Sequence, residues 1–329
     1  MIKNIFAEDL KLGMFVILED WLNHPFLTNK FIITSKQQIK KIIELGASSV
    51  KIDTEKGLDT MDAVELLGHG GDEVAAPKQL TSDIKKLVSD ELKNALKDKK
   101  LHPKKKAEIL YRSSLDIMGK LLESPTAQSI SAAKDGIKDI VDVILSEDDT
   151  SLYLLTLTYH DFYTYTHSVN VGVLSVMLSK ELFKNSTAHD MHELGAGFFL
   201  HDIGKVKVDA SIINKPGRLT ENEMFKMKTH PYQGYKLLQE ADQLSQECKI
   251  IVMQHHERED GTGYPMRLKG NEIHTYGRIG CIADVYDALT AERSYKPKLT
   301  PFEALKIMKE QMLNHFHKDV FDRFVLLFK

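Results

Sequence analysis

The segment HELGAGFFLHDIGK, residues 192–205, limits what this chain can fold into more than any other. Its apolar run leads straight into His201-Asp202, and a carboxylate buried there without a partner would cost several kcal/mol. The fold must therefore deliver a compensating group to Asp202, and a metal ion meets that need. Gly204 reads as the stop of the helix, and Lys205 follows Asp202 by three residues.

Four further segments raise the same difficulty. A helix is expected over 161–183, with His167 on a face that includes Val171, Leu174 and Leu178. His230 opens a second helix in KTHPYQGYKLL, with Pro231 at its first position. His255 and His256, in HHEREDGTGYP, follow the apolar run CKIIVMQ and sit near the end of a buried helix. Residues 279–296, IGCIADVYDALTAERSYK, are apolar nearly all round through Leu289 except for Asp284 and Asp287, so at least one of these acids needs a buried partner.

Taken singly, these residues have simpler explanations: a hydrogen-bonded core histidine for His167, a helix-opening residue for His230. Together, His167, His201, Asp202, His230, His255, His256 and Asp284 exceed the three or four ligands of a single zinc and suit two divalent metals bridged by a carboxylate. Neighbours on a helix diverge by ~100°, so adjacent His255 and His256 fit a site wider than one ion. The mixed N/O donor set favours Fe, Mn, Zn or Ni over Mg or Ca.

Eleven of the 14 histidines fall at or after position 160, which separates this region from what precedes it. Residues 1–57 carry short β-leaning runs, MFVILED, KFIITS and SVKIDT, with a helix KQQIKKIIELG closed by Gly46: a small α+β module. Residues 58–79, rich in Gly, Asp and small side chains, read as a linker. Residues 80–147 read as connecting amphipathic helices, with the run KDKKLHPKKK as a solvated link between two of them.

A net charge of −3 gives no global drive toward nucleic acid. Cys248 and Cys281 sit among apolar residues, which favours core packing in a reducing compartment over a disulfide. The sequence has no run of about 18 apolar residues, so no membrane insertion is expected and a cytoplasmic location is.

In order, THSVNV, LHDIGK, INKPGRLTENE, THPYQG, HHEREDGTGYP and RIGCIADVYDALTAERSYK resemble the HD-GYP family of metal-dependent phosphohydrolases, over about residues 150–329. The pieces DLKLGMFV, PFL and KIDTEKG resemble a domain often found in front of it, with no settled activity. The resemblance implies a mainly α fold: a helical-bundle HD-type domain over 148–329, preceded by the small α+β module and a helical linker.

It also implies a cyclic di-GMP phosphodiesterase yielding pGpG and/or GMP, with the seven residues above as metal ligands and Fe or Mn as the metals. The expected division places His167, His201, Asp202 and Asp284 on one ion and Asp202, His230, His255 and His256 on the other, with a bridging hydroxide as nucleophile. Lys205 is positioned to reach a phosphate oxygen or the leaving 3′ oxygen, and Arg293 and Lys296 match positions that hold the ligand's phosphates. Tyr163 stands where some members place a glutamate ligand, which argues for two metals over three. Ser294 replaces a common proline, and 206–210 (VKVDA) lacks another; neither removes a charge.

Two other functions fit the same residues: a receptor that binds cyclic di-GMP without useful turnover, or a hydrolase of another cyclic dinucleotide. Within HHEREDGTGYP, Glu257, Arg258 and Glu259 are expected to face solvent, and Asp260, Gly261 and Gly263 to shape a turn. Gly263-Tyr264-Pro265 is then an exposed surface, which by resemblance contacts a partner such as a diguanylate cyclase domain or packs the loop.

Overall fold

The computed structural model describes residues 2–11, 14–18, 30–33, 39–40, 42–43, 49–55, 88–158, 164–184, 186–215, 217–291 and 299–328. The expected linker 58–79, most of the expected helix 36–46, and Tyr163, Arg293, Ser294 and Lys296 lie outside them. The chain separates into two units, Met1–Asp83 with Asp209–Lys215, and Ile84–Val208 with Pro216–Lys329.

In the first unit, β1 (Ile2–Phe6), β2 (Phe15–Ile17), β3 (Lys30–Ile32) and β4 (Ser49–Asp53) form an antiparallel sheet in the order β1-β4-β2-β3. Val16 pairs with Ile52 and both are buried, so the two-residue alternation of the central strands sets the register. Met14, Ile33, Ile42 and Val50 complete that core. β1 has no such alternation, since Ile2 and Phe6 are exposed; its five-residue ladder to β4 holds it in place, and periodicity alone could not reveal it.

The second unit is helical. It runs through α1 (Asp90–Lys97), α2 (Pro103–Glu123), α3 (Ala127–Ser146), α4 (Asp148–Leu157), α5 (Thr164–Leu182) and α6 (Met191–Phe199). The short α7 (Ala210–Ile213) groups with the first unit. Then come α8 (Glu221–Met227), α9 (His230–Glu240), α10 (Gln246–Gln254), α11 (Thr275–Thr290), α12 (Pro301–Gln311) and α13 (Lys318–Leu326). Local chemistry starts many of them: Thr126, Thr220 and Thr300 each close a capping box, and Asp190 accepts from the His192 and Glu193 amides.

One apolar cluster joins Leu110 and Ile117 of α2, Ile140 of α3, Leu174 of α5, Phe198 and Phe199 of α6, Ile251 of α10, Ile282 of α11 and Phe324 of α13. Each such fully buried side chain contributes about 1.5–3 kcal/mol. The core is continuous across residues 147 and 148, where the histidine-rich region was expected to begin. α5 is buried on every side from Thr166 to Ser179, which makes it the central rod and keeps His167 largely out of solvent.

The lysine run departs from a purely solvated link. Lys99, Lys100, Lys104 and Lys105 are exposed, but Lys106 is buried and its ammonium lies 2.5 Å from Glu147 Oε1. Among the described residues, no helix is long and apolar enough to cross a membrane.

Candidate metal centre

Five segments of the second unit converge on Asp202. α6 ends at Phe199, and His201 and Asp202 occupy the turn before a 3-10 segment, Ile203–Lys207, that contains Gly204. Gly204 is therefore not the helix stop. Its role is close packing: a Cβ there would stand 1.9 Å from the His230 carbonyl oxygen and 2.3 Å from the Gly234 nitrogen. Only a glycine lets the start of α9, and with it His230, come this near.

α5 supplies His167, the end of α10 supplies His255 as its C-cap and then His256, and α11 supplies Asp284. His167, His201, Asp202, His230 and His255 are buried. His256 and Asp284 keep side-chain exposures of 19% and 13% and form the mouth, together with Lys205.

The two oxygens of Asp202 face different histidines. Oδ2 lies 3.4 Å from His167 Nε2 and 3.4 Å from His201 Nε2, whereas Oδ1 lies 3.1 Å from His230 Nε2 and 3.7 Å from His255 Nε2. Candidate ligand atoms accordingly form two groups that share Asp202: one with His167 and His201, the other with His230, His255 and His256. Asp284 belongs to neither alone, since Oδ1 lies 3.1 Å from His167 Nε2 and Oδ2 lies 3.3 Å from His256 Nδ1.

Hydrogen bonding on the far side of each ring decides what faces Asp202. His201 Nδ1 donates to the Phe198 carbonyl at 2.8 Å, His230 Nδ1 to Met227 at 2.9 Å, and His255 Nδ1 to Val252 at 3.0 Å. Carbonyls only accept, so these Nδ1 atoms carry the protons. Burial pushes the His230 and His255 pKa values down, which favours the neutral rings.

Their Nε2 lone pairs then face Asp202 Oδ1 and lie 3.2 Å from one another. Buried Asp202 Oδ1 and His201 Nε2 have no hydrogen-bond partner. Electron-rich atoms gathered in this way are stable around a cation, and these residues fit divalent metal ions.

The carboxylates are held ionised. Burial opposes the charge on Asp202, but the Lys205 ammonium and then His201 hold its pKa well below the usual range. Lys205 Nζ contacts Asp202 Oδ2 directly. Burial likewise opposes Asp284, and the hydrogen bond from His167 overcomes it and holds its carboxyl below the usual range. Cys281, one turn before Asp284, has a thiol pushed up to about 12 by burial and by Asp284.

Sequence reasoning placed three nearby residues wrongly or without a role. Asp287 is buried and accepts from His167 Nδ1 at 2.7 Å, which turns His167 Nε2 toward the centre. Glu257, expected in solvent, is buried and accepts from the Met266 and Leu268 amides at 2.7 and 2.9 Å. Tyr264, expected on an exposed surface, is half-buried with its ring stacked on His256 at 4.5 Å and 29°.

Glu259 is also partnered, with Arg278 at 2.7 Å. Gly263 is buried, and a Cβ there would stand 2.5 Å from Glu257 Cα, so the loop's close return over Glu257 requires glycine. An acid next to two histidines at a helix end was the available signal for Glu257, but its partners lie nine and eleven residues on.

An HD domain family matches residues 155–320, and a domain of unknown function (DUF3391) matches residues 2–132. The chain is 32% identical over 330 positions to a Pseudomonas aeruginosa protein named cyclic di-GMP phosphodiesterase, covering 99% of this chain and 76% of that one. It is 44% identical over 118 residues to a Vibrio cholerae 3′3′-cGAMP-specific phosphodiesterase, covering 36% of this chain and 23% of that one. Among solved structures, an HDG"Y"P protein from Bdellovibrio bacteriovorus aligns over 100% of this chain and 99% of its own, with a TM-score of 0.63 and 16% identity, a likeness of fold.

Proposed function

The chain belongs to the HD-GYP family of HD-domain proteins, metal-dependent hydrolases, and from that premise we propose that it hydrolyses cyclic di-GMP at a 3′-5′ phosphodiester bond to give pGpG and/or GMP. The observation that carries this reading is the division of the Asp202 oxygens between two histidine groups, which suits two divalent ions sharing one carboxylate. His167, His201, Asp202 and Asp284 are the ligands of one ion, and Asp202, His230, His255 and His256 those of the other. The mixed N/O donors suit Fe or Mn.

Bound divalent ions supply an activated water and screen the diester charge. The chain's own groups do the rest. Lys205, whose ammonium contacts Asp202 at the mouth, would donate to a phosphate oxygen or to the departing 3′ oxygen. His256 and Asp284, the most exposed members, face the entering phosphate. Tyr264, stacked on His256, limits how that ring can turn. Arg293 and Lys296, just after α11, complete the phosphate contacts in this reading.

The test is anaerobic purification with metal quantitation, then incubation with cyclic di-GMP and product analysis. Two ions per chain and release of pGpG or GMP are expected; full turnover by metal-depleted protein would refute the assignment. Because a Vibrio relative is named for 3′3′-cGAMP, that dinucleotide belongs in the same assay, and strong preference for it would replace the substrate while leaving the metal reading intact.

A further inference from the structure

His167 is held differently from its neighbours. His201, His230 and His255 rest their Nδ1 atoms on backbone carbonyls within three residues of their own position. His167 Nδ1 instead meets Asp287 Oδ2 at 2.7 Å, Asp287 Oδ1 accepts from Asn170 Nδ2 at 2.7 Å, and Asn170 Oδ1 accepts from the Tyr111 hydroxyl at 2.7 Å. Asn170 and Asp287 are buried. Tyr111 lies on α2, before the residues that match the HD domain and inside those that match the domain of unknown function.

We propose that Tyr111 is a positioning residue for His167, so that helix α2 sets how tightly one of the two metal ions is held. This rests on the reading of His167 as a ligand. The Asn170 amide nitrogen donates to Asp287 Oδ1, which leaves the Asn170 carbonyl oxygen facing Tyr111. The Tyr111 hydroxyl is the donor that satisfies this buried oxygen.

Without it, Asn170 loses one of its two side-chain anchors and Asp287 loses a fixed partner. The Asp287 carboxylate is then freer to turn, and the His167 ring with it. A movement of α2 has the same effect, and it acts on the His167 ion alone, because His230 and His255 are anchored to their own local backbone.

The test uses the full chain, wild type and Tyr111→Phe, titrated anaerobically with Mn²⁺ against a chelator, alongside melting of the metal-free proteins. Tyr111→Phe keeps the ring and its packing. It is expected to melt somewhat below wild type when metal-free, because the buried Asn170 oxygen loses its donor, to bind one ion roughly 10-fold more weakly, at the low end of outer-shell effects, and to bind the other unchanged.

Ser114→Ala removes a hydroxyl on the same helix that bonds only locally, to Leu110 at 2.8 Å, and is expected to alter neither affinity. Two wild-type affinities in Tyr111→Phe, equal weakening of both ions, or a matching loss in Ser114→Ala would overturn the proposal. A wild-type protein that binds no metal would instead overturn the proposed function beneath it.

Discussion

Gly204 and His230 approach so closely that a single added methyl would stand 1.9 Å from the His230 carbonyl oxygen. The 3-10 segment after the His201-Asp202 pair is thus pressed against the start of α9, which brings a ligand candidate from each strand of chain to one point. Gly204→Ala should separate them. Overpacking of this kind costs about 1–3 kcal/mol, so denaturant unfolding of the metal-free protein should show a loss in that range, with weaker metal binding at the His230 group.

Asp202→Asn preserves size while removing the charge shared by both histidine groups. Metal analysis should show both ions lost together, and hydrolysis with them. Retention of one ion at full occupancy would mean that Asp202 does not bridge.

Metal removal should lower the melting temperature of the wild type, because an ion that binds only the folded state at 100 times its Kd adds about 2.7 kcal/mol. A melt with and without chelator measures this. Asp202→Asn should melt at the same temperature in both conditions.

The Lys106–Glu147 pair predicts an acid-sensitive contribution to stability. Burial raises the Glu147 pKa, but the hydrogen bonds from Lys106 and Thr150 outweigh it and hold the carboxyl below its ordinary range. A folded-state pKa below the unfolded one means stability that is present above the unfolded value and lost as pH falls through the folded one. Lys106→Met should flatten the stability curve below about pH 5, near where free glutamate begins to titrate. Unfolding midpoints measured from about pH 3 to about pH 7, which bracket the free glutamate value, would reveal an unchanged slope if the pair has no such effect.

Glu257 anchors the loop that carries Tyr264, through two backbone amides. Glu257→Ala leaves those donors without it, at a cost of about 1–3 kcal/mol for a group left unsatisfied. Hydrogen exchange at Met266 and Leu268 should quicken in that variant, and equal protection would show that the loop is held by other contacts.

The sequence by itself marked the residues that are candidates for the chemistry and the segments that present them. Histidines and aspartates in apolar segments need partners, so His167, His201, Asp202, His230, His255, His256 and Asp284 were legible as a candidate set, although His167 and His230 taken singly have simpler explanations. Helical apolar spacing marked the helices that carry the candidate site, and short β-leaning runs marked β2, β3 and β4.

Partnership between distant segments was decided only by the tertiary structure. Periodicity reports whether a residue is buried but not what it meets, which is why Asp287 was seen as a buried acid yet not as the support of His167. Lys106 and Glu257 read as surface charges because their compensating partners, Glu147 and the amides of Met266 and Leu268, are distant in sequence. The division of Asp202 between two histidine groups likewise depends on α5, α9 and α10 docking around one turn, with Gly204 small enough to let them close.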